Sequence, residues 1–230
     1  MATWNEVALR SGASGVAAAV LLMAGFPLYF MAGPPPDLGD TDRLTEYLTR
    51  NRGLILTSKL VNTVHVAGFL LFLDGLRHLI RRASADHEWE ATLVFGAGLV
   101  AASATLTGDL LGASAALDTF NALEPAAVCA LGEAALPAFG AIGLLMTTLF
   151  LVSASYALLV TRALPWWTGW MGYAVAILTT AAIPTLYGSA SSGVSSYSTS
   201  IAGLAFIAWL LSAGISMMRV KPGADDSRPG

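Results

Sequence analysis

LTSKLVNTVHVAGFLLFLDGLRHLIRR, residues 56–82, has the length and apolar content of a bilayer-crossing helix. Yet it carries Lys59, Asn62, His65 and Asp74 ahead of a basic close. A helix needs about 20 predominantly apolar residues to cross ~30 Å of hydrocarbon. A bare charge at the bilayer centre costs ~2.5–3.5 kcal/mol on insertion scales, so polar groups at that depth turn toward other helices and pair there. Together these requirements predict a bundle of membrane helices with a polar spot inside it.

The rest of the chain agrees with a lipid environment. Of 230 residues, 55% are hydrophobic and 12% charged, and mean hydropathy is +0.65. A soluble domain averages about 25% charged residues. So few charges cannot cover a hydrated globule, and the outer surface is expected to face lipid. The net charge of −3 comes without a basic stripe, so no nucleic-acid partner is expected. The one cysteine, Cys129, excludes an intrachain disulfide and any multi-cysteine metal site.

Six apolar stretches cover 14–32, 54–80, 91–114, 138–160, 166–187 and 201–218. Backbone polar groups in lipid must be paired within the segment, which makes such stretches helices. A barrel would alternate over segments of about ten residues, and no such pattern is present. The expected fold is all-α and polytopic: six transmembrane helices in residues 1–218, then a disordered cytoplasmic tail, 219–230. The first stretch lacks a small-x-small cleavage site before its proline run and reads as an uncleaved span.

Basic residues set the expected orientation. With the N-terminus inside, the inner segments hold Arg10, Arg77, Arg81, Arg82, Arg162, Arg219, Lys221 and Arg228. The outer ones hold Arg43, Arg50, Arg52 and Lys59. Eight against four favours both termini on the cytoplasmic side.

Between the first two spans, DTDRLTEYLTRN (40–51) reads as a short connecting helix. Asp40 or Thr41 caps it, and Leu44, Tyr47 and Leu48 form its apolar face. Residues 126–161 are too many for one crossing, about 54 Å at 1.5 Å per residue. Pro137 should end or kink a helix there, leaving a short outer helix at 126–136. GSASSGVSSYSTS (188–200) reads as a flexible outer loop.

The polar groups of the opening stretch then acquire candidate partners. Lys59, Asn62 and His65 recur every three residues and share a helix face. Asp109 falls in the outer half of the third span, and Glu133 in the segment before Pro137. An outward-facing polar cavity is expected, with Lys59 opposite Asp109 or Glu133 and His65 at its floor. The alternative is that ion pairs simply hold helices together. Asp74 lies three and four residues before Arg77 and His78, so a local salt bridge is available to it. Arg77, Arg81 and Arg82 can extend to the lipid phosphates as interfacial anchors.

Other chemistry finds little footing. His65 and His78 lie on one helix and only His87 remains, so bis-histidine haem is not expected and no cofactor or metal is assigned. The chain has no G-x-S-x-G elbow, no H-E-x-x-H and no phosphate loop. Gly108 and Gly112, in GDLLG, form a small-xxx-small pattern suited to close helix packing. Trp166, Trp167 and Trp170 are placed to anchor a helix start at the inner interface.

The run ALPWWTGWMGYAVAI (163–177) resembles the penultimate span of a bacterial family of six-helix membrane proteins known as a domain of unknown function. That family typically reads Leu-Pro-Arg-Trp-Leu-Gly-Trp-Leu-Gly. Here Trp166 stands in the basic position and Arg162 precedes Leu164–Pro165. The resemblance implies the six-helix layout and no established chemistry.

The sequence therefore leads to a protein that binds or transports a small molecule through Lys59, Asn62, His65, Asp109 and Glu133. Its surroundings are the bilayer and, as further partners, copies of itself or a larger membrane complex. The alternatives are a membrane enzyme acting on a lipid-soluble substrate, with His65 and a carboxylate as acid and base, and a scaffold subunit.

Overall fold

The computed structural model describes residues 4–33, 36, 40–117, 124–183 and 192–220, and among them every regular element is helical. The helices are α1 (Trp4–Ala32), α2 (Thr41–Ala83), α3 (Glu88–Leu117), α4 (Pro125–Phe139), α5 (Ala141–Thr161), α6 (Trp166–Ala182) and α7 (Ser192–Met218). A 3-10 turn at Ala85–His87 joins α2 to α3. Five helices (α1, α2, α3, α5 and α7) are long and apolar enough to cross a membrane, while α6 has 17 residues.

The helices pack as a ring in the order α1, α2, α3, α5, α6, α7 and back to α1, with α4 lying against α3 and α5. The ring's interior is filled by Phe72, Phe150 and Trp209, all fully buried. Trp209 meets Phe72 at 6.3 Å and 89°, and Phe150 at 5.6 Å and 82°. Such edge-to-face pairs add ~0.5–1.5 kcal/mol each beyond the area they bury. The outward faces carry exposed Val20, Leu71, Leu110 and Ile177, which suits a lipid solvent.

Two close approaches depend on glycine. A Cβ at Gly12 on α1 would stand 2.7 Å from the Gly214 carbonyl of α7, and one at Gly15 would stand 2.5 Å from the Phe72 ring on α2. Side chains there would push α1 off its two neighbours. Close backbone contact of this kind is how membrane helices gain packing without a hydrophobic driving force between them.

Several boundaries differ from the sequence reading. The segment 40–51 is no separate connector, because α2 runs unbroken for 43 residues. Gly53 is its weak point, but one interior glycine costs only about 1 kcal/mol. Long helical runs on both sides outweigh that. Asp40 does cap the helix, accepting from Arg43 N at 3.2 Å, and Leu44 is buried as its apolar face requires. Pro137 lies inside α4, and the break before α5 falls at Gly140. Pro137 has no N–H to give the Glu133 carbonyl, so α4 loses one bond there, and the helix ends two residues later at Phe139. The helix expected from residue 14 starts at Trp4 and contains Pro27, and it ends before Gly33 with φ +76°. Backbone read as an outer loop is helical from Ser192 onward, while 188–191 and 221–230 lie outside the described residues.

Candidate functional site

The polar face of α2 meets α3 as the sequence anticipated. The two helices run antiparallel, and Lys59, Asn62 and His65 form one row facing Thr105, Asp109 and Gly112. Residues three or four apart share a helix face, so each row is a local consequence of spacing.

Asp109 is the centre of this seam and is 4% exposed. Its Oδ2 accepts a hydrogen bond of 2.6 Å from Asn62 Nδ2. Its Oδ1 lies 3.2 Å from Lys59 Nζ, without the alignment of a hydrogen bond. That contact is therefore a charge pair first. The Lys59 side chain is 24% exposed, so one end of the pair reaches the edge of the bundle while the other is sealed in it. Gly112 leaves room for the lysine stem. A Cβ there would be 3.1 Å from Lys59 Cε and 3.4 Å from Nζ, so the lysine stem lies where a side chain would be. The glycine read from sequence as a helix-packing position works here as a seat for lysine.

One turn deeper, His65 is 5% exposed. Its Nδ1 lies 2.8 Å from the Ala18 carbonyl on α1. A carbonyl can only accept, so Nδ1 carries a proton and, in the neutral ring, Nε2 is a bare acceptor. The ring stacks on Phe69 at 6.2 Å and 16°. Below it Phe69 contacts Phe150 at 5.3 Å and Phe206 at 6.0 Å, closing the seam with an aromatic floor. A space of about 40 Å³ beside His65 is lined by Thr105, Thr147 and this aromatic group.

Other expected residues stand elsewhere. Glu133 on α4 is exposed and makes no ion pair with Lys59, and among the described residues the seam's ionisable groups come from α2 and α3. Asp74 is exposed, and the local bridge to Arg77 or His78 is not made. Arg77 instead turns onto α3, its guanidinium 5.3 Å from the Phe95 ring centroid, where cation–π attraction replaces the ion pair. Arg81 pairs with Glu88 at 2.9 Å, and both it and Arg82 are exposed. Trp166, Trp167 and Trp170 are exposed at the start of α6, as is Trp89 near the start of α3. Gly108 is buried within α3.

A larger groove of about 340 Å³ runs between Trp89 on α3 and Leu149 on α5, but its walls are almost wholly apolar and hold no titratable group. Among the described residues no cluster of three or more histidine, cysteine or carboxylate groups could hold a metal.

No protein family, curated protein or solved structure matches this chain. Its chemistry must be argued from the seam itself.

Residues the sequence reading passed over complete the picture. Thr105 lies four residues before Asp109, a spacing that places it in the same row. Thr148 and Thr179 share a hydrogen bond of 2.8 Å between α5 and α6. Single threonines in apolar helices usually bond their own backbone, as Thr105 does to Ala101 at 3.0 Å, so they carried no signal.

Proposed function

We propose that the chain is a six-span protein of a bacterial inner membrane, with both termini cytoplasmic. In this reading the α2–α3 seam receives a small polar molecule from the outer side, for retention or passage. The observation that carries this reading is the Lys59–Asn62–Asp109 contact: three polar side chains from two helices, one at the bundle edge and one buried. Partial exposure of Lys59 lowers the desolvation cost of the pair and also leaves the ammonium within reach of a polar molecule at the bundle edge.

The proposed orientation puts the α1–α2 connection outside and Trp89, Trp166, Trp167 and Trp170 at the inner interface. Indole rings favour that depth. The 17 residues of α6 span about 26 Å. That is enough for a crossing when Pro165 and the tryptophans hold its start among the lipid headgroups. The resemblance of residues 163–177 to the six-helix family accords with the same layout.

A membrane enzyme using His65 as acid or base gains no support from the geometry. About 40 Å³ beside the ring admits no lipid-soluble substrate. The test is thermal unfolding of the purified protein in lipid nanodiscs with a panel of amino acids and polyols. At least one solute should raise the midpoint for the parent chain, and none should do so for Lys59→Met or Asp109→Asn. A panel without effect, or a shift that survives both substitutions, overturns the reading.

A further inference from the structure

The floor of the seam carries a second, more specific assignment, which rests on reading the seam as the ligand site. His65 is buried, its Nδ1 is committed to the Ala18 carbonyl, and within the described residues no other hydrogen bond reaches the ring. Nε2 is then an acceptor without a protein donor. Thr147 on α5 lines the same space and its hydroxyl makes no hydrogen bond within the described residues. Thr105 on α3 donates to Ala101 O and keeps its lone pairs to offer. His65, Thr147 and Thr105 thus line one space of about 40 Å³.

Volume decides what belongs there. Small-molecule sites are typically ~300–1,000 Å³. A water occupies about 30 Å³ of liquid and needs two to four polar partners. Leaving a sealed polar group unmatched costs roughly 1–3 kcal/mol, and less at a half-buried residue such as Thr147; one bridging water removes the cost at both groups. We infer that the space beside His65 is a site for one ordered water, which donates to His65 Nε2 and accepts from the Thr147 hydroxyl, with Thr105 as its third neighbour.

This divides the seam in two. A solute meets Lys59, Asn62 and Asp109 and goes no deeper, and the imidazole below communicates with the outside through water. The lining residues that α3, α5 and α7 contribute to the cavity bring no titratable side chain to it. The nearest such groups along the rows are Asp109, four residues from Thr105, and Lys59, six from His65.

The experiment is nuclear magnetic resonance on ¹⁵N-histidine-labelled protein in nanodiscs, carrying His78→Gln and His87→Gln so that one ring reports. The expected spectrum shows a ring protonated at Nδ1 at neutral pH, with magnetisation transferred from water. That transfer should be lost in Thr147→Val, and weakened in Thr105→Val, which serves if the first variant does not fold. A ring that receives no transfer, a proton on Nε2, or transfer unchanged in both threonine variants overturns the water site. Solute-induced stabilisation through Lys59 and Asp109 is read separately, so a failure there strikes the ligand reading and leaves this result legible.

Discussion

Lys59 Nζ stands 3.2 Å from Asp109 Oδ1 across the α2–α3 contact, and the lysine stem reaches it by lying over Gly112. A cation, a carboxylate and a missing side chain form one device. Each member can be removed separately, and the device predicts how the losses combine.

Removing either charge leaves the other without its partner in a partly desolvated place. Lys59→Met and Asp109→Asn should each lower stability by on the order of 2 kcal/mol, below the ~3–5 kcal/mol of a fully buried pair because Lys59 is partly exposed. The double variant Lys59→Met with Asp109→Asn should recover much of that loss. Thermal or denaturant unfolding in nanodiscs measures the cycle, and strict additivity would refute the pairing.

Gly112 separates seating from packing. Gly112→Ala places a Cβ 3.1 Å from Lys59 Cε, which a flexible lysine tip can evade by a small shift, so the change should stay within about 1 kcal/mol. Gly112→Leu displaces the lysine outright and should reproduce the loss seen in Lys59→Met. In the Lys59→Met background the same leucine should add little. An equal extra loss there would mean that the glycine serves helix contact alone.

The α5–α6–α7 junction offers a test of the core. Gly172 faces Ser155 Oγ, an oxygen buried without a partner, and lies close to Trp209 Nε1, which donates to Thr168 O at 3.1 Å. Gly172→Ala should destabilise by about 2–3 kcal/mol through overpacking. Adding Ser155→Ala removes only part of the clash, because the indole remains, so partial rescue is expected. Full rescue would show that the tryptophan moves freely, and unfolding midpoints decide.

Orientation can be read by labelling. In a Cys129→Ala background, Glu46→Cys on the exposed start of α2 should react with a membrane-impermeant maleimide in intact cells. Asp86→Cys in the α2–α3 turn should react only after permeabilisation. The reverse pattern would invert the assigned topology.

Much of this arrangement was legible because periodicity is a local property. The spacing of Lys59, Asn62 and His65 defined a face, and the spans placed Asp109 at the matching height. What the sequence withheld was azimuth and competition. Glu133 is exposed on α4 and does not join the seam, since nothing local to α4 fixes which way the helix turns. Arg77 had Asp74 within reach but found Phe95 on a neighbouring helix instead. Thr147 belongs to a third helix whose rotation only packing sets. The glycines that bring α1 against α2 and α7, Gly15 and Gly12, lie in a small-residue run where no single position stands out. The continuity of α2 was hidden by a boundary placed where composition changes from polar to apolar. The backbone does not register that change.

That continuity has a mechanical meaning. At about 65 Å for its 43 residues, α2 is roughly twice as long as the hydrocarbon layer is thick. Its first turns are pinned where the Tyr47 hydroxyl donates to Gly33 O at 2.9 Å. The helix is continuous from that pin to Lys59, twelve residues along, with Gly53 the yielding position between them. The first turns of α2 and the charge pair with Asp109 therefore belong to a single strut.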